Sequence, residues 1–198
     1  MVAVEAYDRP VVRAAMQIMA YCFPRPGECR LARWDEVDLD AAVWTIPAER
    51  MKMRREHKIP LSSQAVATFR GLHRLVGLES ELCFPGQRVI DRPISENTIC
   101  VALRTIGFPK EEMSAHGFRA LASSLLHEES KFSSETIERA LAHQDTNATR
   151  RVHARGEHWT QRVKLAQWWA DYLDHLRDAA IAERKSNRPM KARRYAPM

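Results

Sequence analysis

Ser114-Ala-His-Gly-Phe-Arg119 is the stretch around which this sequence of 198 residues is organised. His116 and Arg119 lie three positions apart, so a helix presents both side chains on one face. Two shorter stretches follow downstream, Leu141-Ala-His143 and Val152-His-Ala-Arg155. This concentration of histidine and arginine makes the region the first candidate for chemistry.

A second set of candidate residues lies far upstream. Arg25 stands in Arg25-Pro-Gly-Glu28, a corner that ends one helix and starts another, because proline suits the first position of a helix. Lys52 stands in Arg50-Met-Lys-Met-Arg-Arg-Glu-His-Lys58. We expect strands at 50–53 and 57–59, with Lys52 near the tip of the hairpin that joins them.

The rest of the sequence shows the 3.6-residue periodicity of amphipathic helices. Helices are predicted at 10–22, from Ser63 to Val76, from Ser95 to Ile106, from His116 to Glu129, from Ser134 to Leu141 and from Thr160 to Arg184. Their inner faces are expected to include Leu121 and Leu125, and, in the last helix, Val163, Trp169 and Leu176. The predicted fold class is mainly α with a small antiparallel β-sheet (α+β), the sheet lying between Val37 and Leu61.

Composition predicts a single domain at 1–182, followed by a basic tail at 183–198. The length and the 45% hydrophobic content suffice for one core. No apolar run approaches the ~20 residues that cross a bilayer, and the N-terminus lacks a signal-peptide core. No Cys-x-x-Cys spacing occurs, which favours buried, reduced thiols over a zinc site or a disulfide framework. The eight histidines form no His-x-x-x-His pattern, so no metal site is expected.

The net charge of +6 is concentrated at the C-terminus. Residues 183–198 contain six Lys or Arg and one Glu, which leaves 25 basic and 24 acidic residues in the body. Overall charge is therefore weak support for nucleic-acid binding, and a basic face must come from local clustering. The tail can be a solvated end or an arm that contacts DNA or a partner.

These segments together resemble the catalytic domain of the phage-type integrases, the tyrosine recombinases. His116-Gly-Phe-Arg119 resembles the family's His-x-x-Arg signature, and residues 137–143 resemble the segment that carries its next histidine. Residues 50–62 resemble the family's β-hairpin with its lysine. The resemblance covers about 11–176 and is nearest to integrases of prophages and genomic islands. It implies site-specific DNA recombination and integration, in which strands are cleaved and rejoined through a covalent 3′-phosphoprotein intermediate.

The resemblance also implies catalytic roles for five residues. Arg25 and Arg119 would hold the non-bridging phosphate oxygens, a task that suits arginine because its planar fork stays charged and forms bidentate bonds. Lys52 would protonate the leaving 5′-oxygen. His116 would move protons, and His143 would hydrogen-bond the phosphate. No metal and no other cofactor is implied.

Each of these residues also has an ordinary structural interpretation. Arg25 can form a helix-cap ion pair with Glu28, and Lys52 can be a solvated surface lysine. His143 can be a packed histidine at a helix end. The match of whole segments, rather than of single residues, favours the functional interpretation.

The implied partner is double-stranded DNA, bound at one attachment-site half-site by a protein that is monomeric alone and tetrameric on DNA. Basic hairpin residues would contact backbone phosphates without reading sequence; they are Arg50, Arg54, Arg55 and Lys58. Family members normally carry DNA-binding domains ahead of this one, so we expect an isolated catalytic domain or a truncated copy. The implied setting is the cytoplasm and nucleoid, for a bacterial or phage-encoded protein.

One position departs from the family pattern, because His153 stands where the family has its nucleophilic tyrosine. A phenol attacks phosphorus to give a phosphotyrosyl link that stores the bond energy for rejoining. The imidazole nitrogen falls short of a phenol's reach, and a misplacement of about 1 Å can cost ~100-fold in rate. We interpret His153 as a loss of the nucleophile, natural or introduced.

Three functions therefore remain open from the sequence. The first is a phage-type integrase, and the second is a non-catalytic DNA-binding remnant that keeps the phosphate site. The third is a type IB topoisomerase, which shares the site chemistry.

Overall fold

A computed structural model of the chain describes residues 1–51, 54–142 and 155–186. In this part the fold is mainly helical with one small antiparallel sheet, as predicted. Two short 3-10 turns cover Trp34–Glu36 and Ala48–Arg50. In chain order the elements are α1 (Val2–Glu5), α2 (Pro10–Cys22), α3 (Pro26–Arg30), β1 (Val37–Asp38), β2 (Val43–Ile46), β3 (His57–Pro60), α4 (Ser63–Val76), α5 (Thr98–Thr105), α6 (Gly117–Glu129), α7 (Ser134–Ala140) and α8 (Arg155–Ser186).

Helix α2 is the centre of the core. It packs against α3, α4, α5, α6 and α8, and most of its residues are buried. A helix that is apolar on nearly every side is stable only when other elements cover it all round. A second, smaller apolar cluster joins α6, α7 and α8 beside the C-terminal end of α2, and Phe23 belongs to it.

The C-terminal end of α2 turns sharply. Phe23 has φ 40° and ψ 41°, a left-handed conformation that is uncommon for a bulky residue. Its ring is buried and packs edge-on against Trp169, with 6.4 Å between the ring centroids. Packing therefore holds the turn, and Pro26 then starts α3 immediately after Arg25.

The strand order of the sheet is β1-β2-β3, all antiparallel. The predicted strand at 50–53 is wrong for its described part, because Pro47 ends β2 and Ala48–Arg50 forms a 3-10 turn. The strand that pairs with β3 is β2 itself, in a register that places Ile46 opposite His57. Pro60 pairs with Val43 at the end of an edge strand, where a proline needs no N–H.

Single positions on two helical faces differ from the prediction. In α6, Leu121 is 49% exposed, and the buried positions include Ala122, Leu126 and the charged Arg119. A prediction based on apolar residues alone does not place Arg119 on the inner face, although its side chain is buried there. In α8, Val163 is exposed whereas the neighbouring positions 165 and 166 are buried.

The last turns of α8 dock through charge rather than apolar contact. Leu176, predicted to point inward, is 45% exposed. Arg177 instead forms ion pairs with Glu5 of α1 at 3.0 Å and with Asp174 at 2.8 Å. The helix continues through the predicted boundary at 182 as far as Ser186.

The structure also shows the state of the cysteines and the polarity of the helices. All four cysteines are free, and burial raises the pKa of the Cys22 thiol to about 12. Among the described residues, no helix combines the length and the apolar character needed to cross a bilayer.

Adjacent tryptophans of α8 have different environments and provide a matched pair for a stability measurement. Trp169 is buried and its Nε1 donates to the Ala20 carbonyl oxygen at 2.8 Å, a carbonyl in the last turn of α2. Trp168 lies nearer the surface and stacks on Tyr172. We expect Trp169→Phe to lower the free energy of unfolding by about 2–3 kcal/mol, because packing is reduced and a carbonyl is left unsatisfied.

The control for this measurement is Trp168→Phe, which keeps an aromatic ring at the stack and should cost less than about 1 kcal/mol. Urea titration followed by circular dichroism measures both. Equal losses in the two variants would show that the bond to Ala20 does not hold α8 against α2.

Candidate functional site

Arg119 on α6 ties two helix ends together inside the protein. Its side chain is buried, its Nη1 donates to the Phe23 carbonyl oxygen at 3.0 Å, and its Nη2 donates to the Leu141 carbonyl oxygen. Phe23 follows α2, and Leu141 follows α7. Carbonyls at helix ends lack a partner within their own helix, so the guanidinium satisfies groups that would otherwise be orphaned.

Arg25 lies at the same corner of the chain. Its Nη1 meets the Glu28 Oε1 at 2.8 Å, and its backbone N–H donates to the Glu28 Oε2 at 2.8 Å. The helix-cap ion pair considered from the sequence is therefore present. The Arg25 side chain is still 26% exposed, whereas that of Glu28 is 5% exposed, so the guanidinium remains accessible at the surface.

Arg25 lies close enough to act on the charge of Arg119. Burial and, after it, the positive charge of Arg25 lower the pKa of Arg119 to about 10, and the charge of Glu28 acts in the opposite direction. The guanidinium remains charged at neutral pH. The fold thus places Arg25 near Arg119, an arrangement that the family resemblance implied, and Glu28 forms its ion pair with Arg25.

His116 stands exposed at the residue preceding α6. The loop before it is held by Arg104, whose Nη2 donates to the Met113 carbonyl oxygen at 2.8 Å. The Gly117 backbone N–H donates to the Ser114 hydroxyl at 3.2 Å. His116 therefore occupies the turn that leads into the helix of Arg119, on the solvent side.

His57 is a member of this region that the sequence analysis missed. Burial and, after it, the charges of Arg162, Arg119 and Arg25 together lower the pKa of its imidazole to about 3. The backbone carbonyl of Ala140, at the end of α7, acts as a hydrogen-bond acceptor and opposes the shift. A neutral histidine thus lies near three guanidinium groups, and no signal in the sequence marks it as part of this site.

Arg162 on α8 is the second residue that the sequence analysis missed. It donates to the Lys58 carbonyl oxygen, and its guanidinium lies 5.4 Å from the centre of the Trp159 ring. Burial lowers the pKa of Arg162 to about 10, and the nearby Arg139 adds to the shift. Strand β3 is therefore linked to α8 one residue after His57.

The predicted DNA-contacting residues of the hairpin divide into two groups. Arg54, Arg55 and Lys58 are exposed, and the Lys58 Nζ lies 3.7 Å from the Glu56 Oε1. Arg50 is turned inward instead and binds Glu36 and the Leu31 carbonyl oxygen. That placement differs from the surface position predicted for Arg50, because its terminal nitrogens are engaged within the fold.

Three predicted site residues lie outside the described residues, namely Lys52, His143 and His153. The described residues end at Met51, the residue before Lys52, and at Ala142, the residue before His143. Over 1–51, 54–142 and 158–186, no group of three or more His, Cys, Asp or Glu side chains could hold a metal ion.

The described tyrosines at positions 21 and 172 are engaged in packing. The Tyr21 hydroxyl donates to Asp174 at 3.1 Å, and burial raises its pKa above the usual range, which disfavours a phenolate nucleophile. Tyr172 stacks on Trp168 and on Trp169. Both side chains therefore serve the packing of the fold.

Comparison with solved structures shows the class of fold. The integrase from mycobacterium phage Brujita superposes with a TM-score of 0.64 at 19% identity, over 83% of this chain and 54% of that one. Lambda integrase, solved as a tetramer bound to a Holliday junction, superposes with a TM-score of 0.55 at 18% identity, over 73% of this chain and 44% of that one. The described residues therefore have the fold of tyrosine-recombinase catalytic domains.

Sequence comparison places the chain within a family. The profile of the phage integrase family matches residues 3–157. The integrase of Enterobacteria phage P4 is 39% identical over 188 residues, which are 88% of this chain and 43% of the relative. Prophage integrase IntA of Escherichia coli strain K12 is 43% identical over 149 residues, which are 75% of this chain and 35% of the relative.

The chain belongs to the phage integrase family, as the sequence motifs predicted. It spans less than half the length of these two relatives.

The half-buried, neutral His57 predicts an acid-sensitive contribution to stability. Its folded pKa lies below its ordinary value of 6.5, so the unfolded chain binds the proton more readily. The neutral imidazole therefore stabilises the fold above about pH 6.5, and that contribution is lost as the pH falls toward 3. The slope is about 1.4 kcal/mol per pH unit for one such group, or about 2 kcal/mol between pH 6.5 and 5.

Urea unfolding of the parent, His57→Gln and His175→Gln at pH 7, 6 and 5 measures this contribution. His57→Gln should flatten the loss of stability between pH 6.5 and 5 by about 2 kcal/mol. His175 is exposed on α8, and its variant should follow the parent at every pH. A parental slope retained in His57→Gln would contradict the environment described for His57.

Proposed function

We propose that this chain is the catalytic part of a site-specific DNA recombinase that serves phage-type integration. The observation that supports the proposal is that Arg25, which is paired with Glu28, lies near Arg119 in a member of the phage integrase family. Two guanidinium groups at one place suit a phosphodiester, whose transition state spreads negative charge over the non-bridging oxygens.

Arg119 can serve the fold and the substrate together. A guanidinium has five N–H donors, and two backbone carbonyls engage only part of this fork. Its position is preorganised, because both carbonyls are fixed by helix ends. Preorganised charge in a partly dry site stabilises a transition state without reorganisation at the moment of reaction.

The proton transfers are proposed for residues matched to the family pattern. Lys52 protonates the leaving 5′-oxygen, His116 moves the proton of the attacking group, and His143 donates a hydrogen bond to the phosphate. The attacking group occupies the position of His153. Its bond to phosphorus forms as the bond to the 5′-oxygen breaks, and the electron pair and a proton leave together on that oxygen.

The proposed partner is duplex DNA carrying an attachment half-site. Exposed Arg54, Arg55 and Lys58 support it, since they form a basic surface on the hairpin. Lambda integrase has been solved as a tetramer bound to a Holliday junction. We propose that this chain also forms a tetramer on DNA and is a monomer in the absence of DNA. The proposed location is the cytoplasm, at the nucleoid.

A second candidate function is a DNA-binding remnant that cuts nothing. The replacement of the family's tyrosine by His153 favours it. The site geometry is compatible with this function, because Arg119 is held by the fold and would survive the loss of chemistry. If the chain were instead a type IB topoisomerase, it would relax supercoiled plasmid DNA.

Restoring the phenol separates these functions. His153→Tyr should form a covalent adduct with a suicide half-site, and the parent should form none or only an acid-labile phosphoramidate. Denaturing gels that resolve protein–DNA adducts measure the outcome. If His153→Tyr binds its cognate half-site and forms no adduct, the pocket has decayed and the remnant is the correct interpretation.

A matched variant tests whether the guanidinium fork drives that reaction. Arg25→Lys in the His153→Tyr background keeps a positive charge beside Glu28 but loses the bidentate geometry. The rate of adduct formation should fall by about 100-fold or more. An unchanged rate would remove Arg25 from the catalytic set.

The basic hairpin should give salt-dependent binding to duplex DNA. The affinity of the parent should fall at least about tenfold between 50 and 200 mM salt if several phosphates are neutralised. Replacing Arg54 and Arg55 by glutamine should lower the slope of log affinity against log salt by about 1 for each phosphate that is no longer neutralised. Arg74→Gln, an exposed arginine on α4, is the control for net charge, and an equal decrease in slope there would contradict a specific role for the hairpin.

A further inference from the structure

Glu36 is a buried carboxylate at the start of the sheet. Its side chain is 8% exposed, and its Oε2 receives three donors. The Arg33 backbone N–H donates at 3.2 Å, and the Trp44 Nε1 donates at 3.3 Å. The third donor is the Arg50 Nη2, which forms an ion pair with it. Glu36 therefore joins its own turn, Trp34–Glu36, to Trp44 in β2 and to Arg50 at the end of the turn Ala48–Arg50.

Arg50 completes this arrangement from the other side. Its side chain is 19% exposed, and its Nη1 donates to the Leu31 carbonyl oxygen, just beyond α3. The next residue, Met51, is buried in the main core. One guanidinium thus fixes the end of α3, the turn that contains Glu36 and the chain two residues before Lys52.

These bonds are incompatible with the phosphate contact predicted for Arg50. Its Nη1 and Nη2 are engaged inside the fold, and its Nε is buried. Turning the side chain toward DNA would leave the Glu36 carboxylate buried and without its cation. Breaking a buried pair by removing one partner is costly, so the inward position is strongly favoured.

The arrangement also has a direct relation to the proposed site. Arg25 precedes the first residue of α3, and Leu31 follows its last residue. The bond from Arg50 to Leu31 therefore connects the five-residue helix behind Arg25 to the segment that leads to Lys52. A distance between a phosphate ligand and a general acid must be kept within about 1 Å for full activity.

We propose that Arg50 and Glu36 form a positioning pair, which sets where the chain leaves the sheet toward Lys52 relative to the helix of Arg25. Arg50 acts through this pair and does not touch DNA. The part of the proposal that concerns catalysis rests on the proposed function of Lys52 as the proton donor.

The first experiment requires no DNA. Trypsin cleaves after lysine and arginine, and Lys52, Arg54 and Arg55 follow the pair in the sequence. Glu36→Gln leaves every tryptic site in place, and it should raise the initial rate of cleavage after these three residues about tenfold, as read by mass spectrometry of the fragments. Arg50→Gln should do the same, and Arg74→Gln should not.

Global unfolding is excluded as the cause of faster cleavage by comparison with other sites. Cleavage after Arg70 and Lys164, which lie on α4 and α8, should stay at the parental rate in both variants. A parental rate after Lys52, Arg54 and Arg55 in Glu36→Gln would overturn the proposal. This result does not depend on whether the chain cuts DNA.

The second experiment separates positioning of the proton donor from general loss of activity. In the His153→Tyr background, Glu36→Gln and Arg50→Gln should each slow adduct formation about 100-fold on ordinary DNA. A second substrate carries sulfur in place of the leaving 5′-oxygen. Its leaving group departs as a thiolate and needs no proton. On that substrate both variants should come within a few-fold of the His153→Tyr protein.

Duplex binding distinguishes the remaining possibilities. The affinity and the salt slope should be the same in the parent, Glu36→Gln and Arg50→Gln. A slope lowered by about 1 in Arg50→Gln alone would show that Arg50 itself binds a phosphate and would overturn the proposal. A slow reaction that sulfur does not restore would also overturn it. If His153→Tyr forms no adduct on either substrate, the proposed function fails, and the trypsin experiment still decides whether the pair positions the chain.

Discussion

The two hydrogen bonds donated by the buried Arg119 guanidinium are the interaction on which this structure most depends. It joins the end of α2, through Phe23, to the end of α7, through Leu141. Both ends expose carbonyls that the helices cannot satisfy, and one planar fork serves both. The same corner fixes the turn into α3, so the geometry around Arg25 follows from the way in which the core is closed.

Crowding of positive charge is the constraint that shapes the surroundings. Arg25, Arg119 and Arg162 all act on His57, and burial adds to their effect. A protonated imidazole there would be a further buried cation, so the ring stays neutral at physiological pH. Glu28 and backbone carbonyls offset the remaining charge. Each of these three guanidinium groups therefore has a partner within the fold, and together they concentrate positive charge at one place.

Motifs that are local in sequence were predictable, and contacts between distant segments were not. The corner at Arg25 and the helix after His116 could be predicted from proline, histidine and arginine at fixed spacings. The inward turn of Arg50 could not, because an arginine in a basic run looks exposed until its carboxylate partner is known. His57 likewise looks like an ordinary strand residue, since its environment comes from three other elements.

The structural task of Arg119 bears on how long a chain of this fold retains this residue. Losing the guanidinium would orphan two buried carbonyls, at a cost of about 1–3 kcal/mol each, whatever the state of the chemistry. Selection for a folded chain therefore keeps this arginine after selection for strand cleavage has ended. A nucleophile that serves only the reaction has no such protection. Retention of Arg119 in a chain of this fold is therefore explained by folding alone, and it is no measure of whether the chain cleaves DNA.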